Sequence, residues 1–134
     1  EYNLEPQTTK IFQIWIMPDR RGAKPNWGAK QFPKATREAG FEVLASGRAA
    51  DSGNGALPLN VDGAVMAATL KAGQTLTQKL GAARAAYLVP AKGAVTVNGR
   101  PLGARDGAAI VDEAEIVLTA SEDAELVLVE VPKE

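Results

Sequence analysis

The 134-residue sequence has no cysteine and no histidine. The first absence excludes disulfides, thiolate metal sites and cysteine nucleophiles. It fits a reducing compartment without demanding one. The second removes Ser-His and Cys-His triads, imidazole acid–base catalysis and the commonest protein ligand for zinc, iron, copper and nickel. Aromatics are scarce, at 5%, while apolar residues reach 46%, so any core is built from Val, Leu, Ile and Ala. No apolar run approaches the ~20 residues that cross a bilayer as a helix, and neither a signal peptide nor a membrane span is expected. With a net charge of −1 there is no general attraction for nucleic acid or anionic membranes. Neither is expected as a partner.

What is present suffices for one domain with a real core and is too short for two of ordinary size. The run Ile11-Phe12-Gln13-Ile14-Trp15-Ile16-Met17 reads as a strand, with Phe12, Ile14 and Ile16 on one face and Gln13, Trp15 and Met17 on the other. Both faces carry bulk, so both should be covered. Pro18 supplies no ladder donor, and Asp19 with Gly22 suits a turn, so the strand should end there. From Pro18 to Gly40 no period is sustained, and so long an irregular connection usually lies against a partner. Trp27 and Phe32 are candidate anchors, either on this domain's own surface or on another. Charge is unevenly placed: Arg20, Arg21, Lys24, Lys30, Lys34 and Arg37 fall in the early loop, and most residues charged after position 111 are acidic. Two solvated surfaces explain this; a contact between the early loop and an acidic face is the sharper alternative.

Short apolar runs follow at close spacing: Phe41 to Ala45, Ala64 to Leu70, Thr75 to Leu80, Ala85 to Val89, Ala94 to Val97, Ala108 to Val111, Glu115 to Thr119 and Glu125 to Val131. Gly, Asn and Asp separate them, the pattern of an all-β sandwich or barrel. Val97-Asn98-Gly99-Arg100 predicts a hairpin with a type I′ turn. In the last run Leu126 and Leu128 oppose Val127, Val129 and Val131, which predicts a strand between two layers. Residues 46–56 are small and polar and read as a mobile loop.

Taken with the opening run and its Pro18-Asp19-Arg20-Arg21-Gly22 turn, these segments resemble the pirin-like bicupins, often described as quercetin dioxygenases. Glu1-Tyr2-Asn3 is similar to the end of that family's His-Ser-Glu-Tyr-Asn motif, whose histidine and glutamate bind a metal in the N-terminal cupin. Val95-Thr96-Val97-Asn98-Gly99 and Arg105-Asp106-Gly107 resemble the family's hairpin and its Gly-Asp-Gly turn, with Arg105 in place of glycine and strained if the position needs positive φ. The resemblance implies an all-β, cupin-type double-stranded β-helix, or jelly-roll barrel, entered by a long irregular connection. Residues 1–40 would cross between cupins, and 41–134 would form the C-terminal barrel. The chain would then be the C-terminal half, or a trimmed product, of a longer protein; processing of an unrelated precursor is the alternative.

The resemblance also locates the metal slots of a cupin. Aligning Gly73 and Gly93 with the ends of the first cupin motif puts Lys79 and Gly81 at the two histidine positions and Ala86 at the glutamate. The second motif, laid over Arg105 to Ala120, puts Ile116 at its histidine. None is a competent ligand, whereas a transition-metal site needs about three or four imidazole, thiolate or carboxylate donors. No catalytic residue, cofactor site or barrel metal is expected here. Iron or another divalent metal is implied only for the N-terminal half, with Glu1 the one residue that would join it. Trp15, Arg20 and Arg21 are the expected contacts with that half, and further protein partners are implied. A cytoplasmic location is expected.

Other candidates are weaker. A buried Lys79 would have base or Schiff-base chemistry, but no acid–base partner stands beside it and the residue more readily snorkels to the rim. Tyr87 invites comparison with the tyrosine of cupin-fold sugar epimerases, which also need a His-Asp pair; it reads as a core residue with its hydroxyl at the surface. Asp112-Glu113-x-Glu115 and Glu122-Asp123-x-Glu125 lack calcium-loop spacing. Asp51-Ser52-Gly53-Asn54-Gly55 lacks the lysine and helix of a phosphate loop. The expected role is a metal-free C-terminal cupin supporting a metal-bearing half of a quercetin 2,3-dioxygenase. A protein-interaction module and a non-catalytic small-ligand barrel are the alternatives.

Overall fold

The computed structural model describes residues 2–38 and 40–133. Ten strands follow in order: β1 (Glu42–Ser46), β2 (Leu57–Pro58), β3 (Ala64–Leu70), β4 (Thr75–Lys79), β5 (Arg84–Lys92), β6 (Val95–Val97), β7 (Arg100–Leu102), β8 (Ala108–Ile110), β9 (Glu115–Ala120) and β10 (Ala124–Pro132). Two short 3-10 turns, Lys34–Arg37 and Ala49–Asp51, flank β1. One sheet has the order β2-β1-β3-β10-β5-β8, the other β4-β9-β6-β7. All pairings are antiparallel except the short β1–β2 pair. The jelly-roll expectation is met.

Strand alternation builds the core between these sheets. Met66 and Leu70 of β3, Leu88 of β5, and Leu126 and Leu128 of β10 meet Val95 and Val97 of β6 and Ile116 and Leu118 of β9. Each such side chain contributes about 1.5–3 kcal/mol by leaving water. Among the described residues none of the buried core side chains is aromatic, and Phe41 packs against the cluster from a partly buried position, in keeping with the few aromatics. In β10 the buried positions alternate from Ala124 to Glu130, with the valines on the opposite face.

Turn chemistry follows the residues. Asn98 (φ 46°) and Gly99 (φ 79°) form the expected tight hairpin between β6 and β7. Arg105 does take positive φ, at 69°. The turn holds it there through its N–H, which donates to Pro90 O at 2.7 Å, and through Asp106 Oδ2, which accepts from Gly103 N–H at 2.9 Å.

The N-terminal connection departs from expectation. No strand forms over residues 11–17, because no ladder partner lies beside them among the described residues. The predicted two faces do separate. Phe12 and Ile14 border a small apolar gap over the outer face of β5 and β10, against Tyr87, Val89, Val127 and Val129. Ile14 and Ile16 continue the line past Val61 and Val65. Trp15 is 85% exposed, and Met17 equally so, so the second face is not covered. Of the proposed anchors Phe32 is half-buried, while Trp27 is 92% exposed.

Candidate functional site

The residues that the cupin resemblance aligned with metal slots fall on β4, the turn after it, β5 and β9. Along β4, Leu76 and Gln78 turn inward, and the alternation continues to buried Leu80 just past the strand. Lys79 therefore points to solvent, and Gly81 occupies a turn at φ 87°. The interior positions of this segment are Gln78 and Leu80, one residue from those the motif alignment named. The other two aligned residues do face inward: Ala86 is buried and Ile116 is fully so. Glu1 lies outside the described residues.

Beside Ala86, β10 directs a carboxylate inward. Glu130 is only 5% exposed and stands in register between Ala64 of β3 and Ala86 of β5. Its two oxygens are taken separately, Oε1 by Arg84 Nε at 2.8 Å and Oε2 by Arg48 Nη1 at 2.7 Å. Arg84 also binds Asp62 Oδ2 at 2.9 Å, and Arg48 Nε binds Asp51 Oδ2 at 2.6 Å. The Ser46 hydroxyl donates to that same Asp51 oxygen, also at 2.6 Å. The Arg48 hydrogen bond holds the Asp51 carboxyl below its ordinary pKa, against burial and with help from Ser46. Burial pulls the Arg48 guanidinium down, but Asp51 and Glu130 together raise it. Within residues 46–56, expected as a mobile loop, Ser46, Arg48 and Asp51 are thus tied to the barrel wall by charge-assisted hydrogen bonds.

This constellation does not fit a transition metal. The inward donor atoms are one amide, Gln78, and a carboxylate already shared between guanidinium groups. Among the described residues no three carboxylates converge to hold an ion. Two cations beside Glu130 also oppose a third positive charge there.

Elsewhere a groove of about 530 Å³ lies between the edge strands β7 and β8. Val97, Leu102 and Ile110 form its floor, with Arg100 and Glu113 at the rim. Tyr87 lies on the outer sheet face, half exposed, with its hydroxyl over Gly107: a Cβ there would stand 2.0 Å from it. Trp15, Arg20 and Arg21 are all exposed, and Arg20 lies 3.8 Å from the carboxylate of its neighbour Asp19. Three carboxylates of the acidic clusters are taken up by lysines distant in sequence. Asp112 pairs with Lys133, Asp123 with Lys71, and Glu125 with Lys34 at 2.7 Å. The last pair is a contact between the early loop and the acidic end of the chain.

A family model described as the quercetinase C-terminal cupin domain matches residues 43–131. The chain belongs to that family. This quercetinase-type cupin is 59% identical over 97% of its length to a pirin-like protein of Caulobacter vibrioides, of which it covers 55%. It is 31% identical over 98% of its length to the quercetin 2,3-dioxygenase of Escherichia coli K12, again covering 55%. Among solved structures it resembles the bacterial pirin YhhW of Escherichia coli in complex with nickel(II), with TM-score 0.79 and 28% identity, over 90% of this chain and 49% of that one. The cupin thus spans about half the length of the curated relatives it matches.

Two features of the site escaped sequence reasoning. Glu130 shares the parity of Leu126 and Leu128, so alternation along β10 would have turned it inward. Its partner Arg48 lies 82 residues away and left no local signal.

Proposed function

We propose that this quercetinase-type cupin binds no metal and supports a metal-bearing N-terminal cupin, bracing it and shaping access to its site. The observation that carries the reading is the barrel interior. At the positions nearest the aligned ligand slots, this barrel holds one amide, Gln78, with Leu80, Ala86 and Ile116, beside Glu130 clamped between Arg48 and Arg84. An ion-paired end of this kind serves rigidity; exchange chemistry needs open coordination positions. The outer sheet face supplies the bracing surface. Phe12 and Ile14 cover it incompletely, and Trp15 with Met17 presents apolar area outward beside Arg20 and Arg21.

By its relatives' names, the whole protein would act on quercetin and bind an ion such as nickel(II); the pirin-like resemblance would put iron or another divalent metal in the other half. In that two-cupin protein, Trp15→Ala combined with charge reversal at Arg20 and Arg21 should lower quercetin turnover or heat stability while the bound metal stays stoichiometric. Unchanged turnover and melting would refute the bracing role. A second reading, a surface for another protein, rests on exposed Trp15, Met17 and Trp27. It predicts that the same variants lose a protein partner and keep turnover.

A further inference from the structure

Four steps in this sequence pair an Asn or Asp with a following glycine, the arrangement in which the next backbone nitrogen reaches the side-chain carbonyl carbon without a side chain in its way: Asn54-Gly55, Asp62-Gly63, Asn98-Gly99 and Asp106-Gly107. The fold treats them unequally. Asn98 is locked across the sheet, its Oδ1 accepting from Val117 N–H at 2.7 Å and its Nδ2 donating to Glu115 O at 3.4 Å. Asp62 is held by Arg84, and the Gly63 N–H is engaged with Val61 O at 2.8 Å. Asp106 is held by Gly103 N–H. Asn54 differs from all three. It is exposed, as is Gly55, and both its bonds are local: Oδ1 accepts from Ala56 N–H at 3.0 Å, and its backbone N–H donates to Asp51 O at 3.2 Å. Among the described residues neither its Nδ2 nor the Gly55 N–H has a partner. The remaining asparagines precede Leu4, Trp27 and Val61, whose side chains obstruct the approach.

We infer that Asn54-Gly55 is a site of spontaneous deamidation and isoaspartate formation, and that the fold protects Asn98-Gly99. The Gly55 nitrogen attacks Asn54 Cγ, the Cγ–Nδ2 bond breaks, and ammonia leaves carrying the proton from Gly55. Water then opens the cyclic imide at either carbonyl, giving aspartate or isoaspartate at 54. No oxidant or enzyme is required. The new carboxylate forms next to the carbonyl that binds Lys30 Nζ at 2.6 Å, one of the ties between the entry connection and residues 46–60.

The test is to incubate the folded full chain at mildly alkaline pH and follow both Asn-Gly peptides by mass spectrometry after acidic digestion. Isoaspartate is counted in parallel with a protein isoaspartyl methyltransferase and a labelled methyl donor. Conversion at Asn54 should exceed that at Asn98 by about tenfold or more, because Asn98 must first break two hydrogen bonds. In urea the two rates should converge. Asn54→Gln should abolish most methyl acceptance, and Asn98→Gln should leave it. Equal native rates at the two sites, or a native ratio no larger than that in urea, overturns the inference.

Discussion

At the scale of single residues, Glu130 bears the largest local consequence. Removing Glu130 leaves two guanidinium donors without their buried acceptor, at a cost of about 1–3 kcal/mol, while Asp51 and Asp62 still balance the charge of Arg48 and Arg84. Glu130→Ala is therefore expected to lower the urea midpoint sharply, and Glu130→Gln somewhat less, without changing far-ultraviolet dichroism under native conditions. Asp51 gives a pH signature. Its folded pKa is depressed, so its contribution is complete above the ordinary carboxylate value of about 4 and is lost as pH falls through the folded value. Asp51→Asn should flatten stability against pH in that acidic window and leave the curve above about pH 5 parallel to the parent. Arg105 offers the opposite change. A non-glycine residue at φ 69° costs about 1–2 kcal/mol, and a glycine there gives back part of that in chain entropy. Arg105→Gly should raise the stability measured by urea unfolding by about 0.5 kcal/mol. That strain was foreseeable from the turn's resemblance, whereas the Arg48–Glu130 pairing, joining residues far apart in sequence, was not.

At the scale of elements, hairpins and strands were legible where periodicity and turn chemistry agree. Asn98-Gly99 fixed its turn, and the alternation of β10 fixed its two faces. Residues 11–17 have an equally clear strand pattern and form no strand here, because a ladder needs a neighbour and pattern alone does not provide one. Register failed at β4 for a related reason. Since side-chain direction has a period of two, a slip of one residue exchanges Lys79 and Gly81 for Gln78 and Leu80. Hydrogen exchange should separate the elements: amides of β3, β5 and β10 protected to near the global stability, those of residues 8–33 exchanging fast. Slow exchange across residues 11–17 in the chain alone would mean that they find a partner strand.

At the scale of the whole molecule, a jelly roll packed with aliphatic side chains carries an ion-paired group, Glu130 between Arg48 and Arg84, at one end, and the proposed reading places that group where a cupin would hold its ligands. The absence of histidine and cysteine was readable at once; the ion-paired group was not, because Glu130 reads as one more acidic residue in an acidic stretch. The decisive measurement is metal content. The chain, purified and exposed to iron(II) and nickel(II) in turn, then dialysed and measured by elemental analysis, is expected to retain neither at stoichiometric level, and its thermal midpoint is expected not to move. Retention of one ion per chain with a raised midpoint would contradict a metal-free barrel with Glu130 clamped between Arg48 and Arg84.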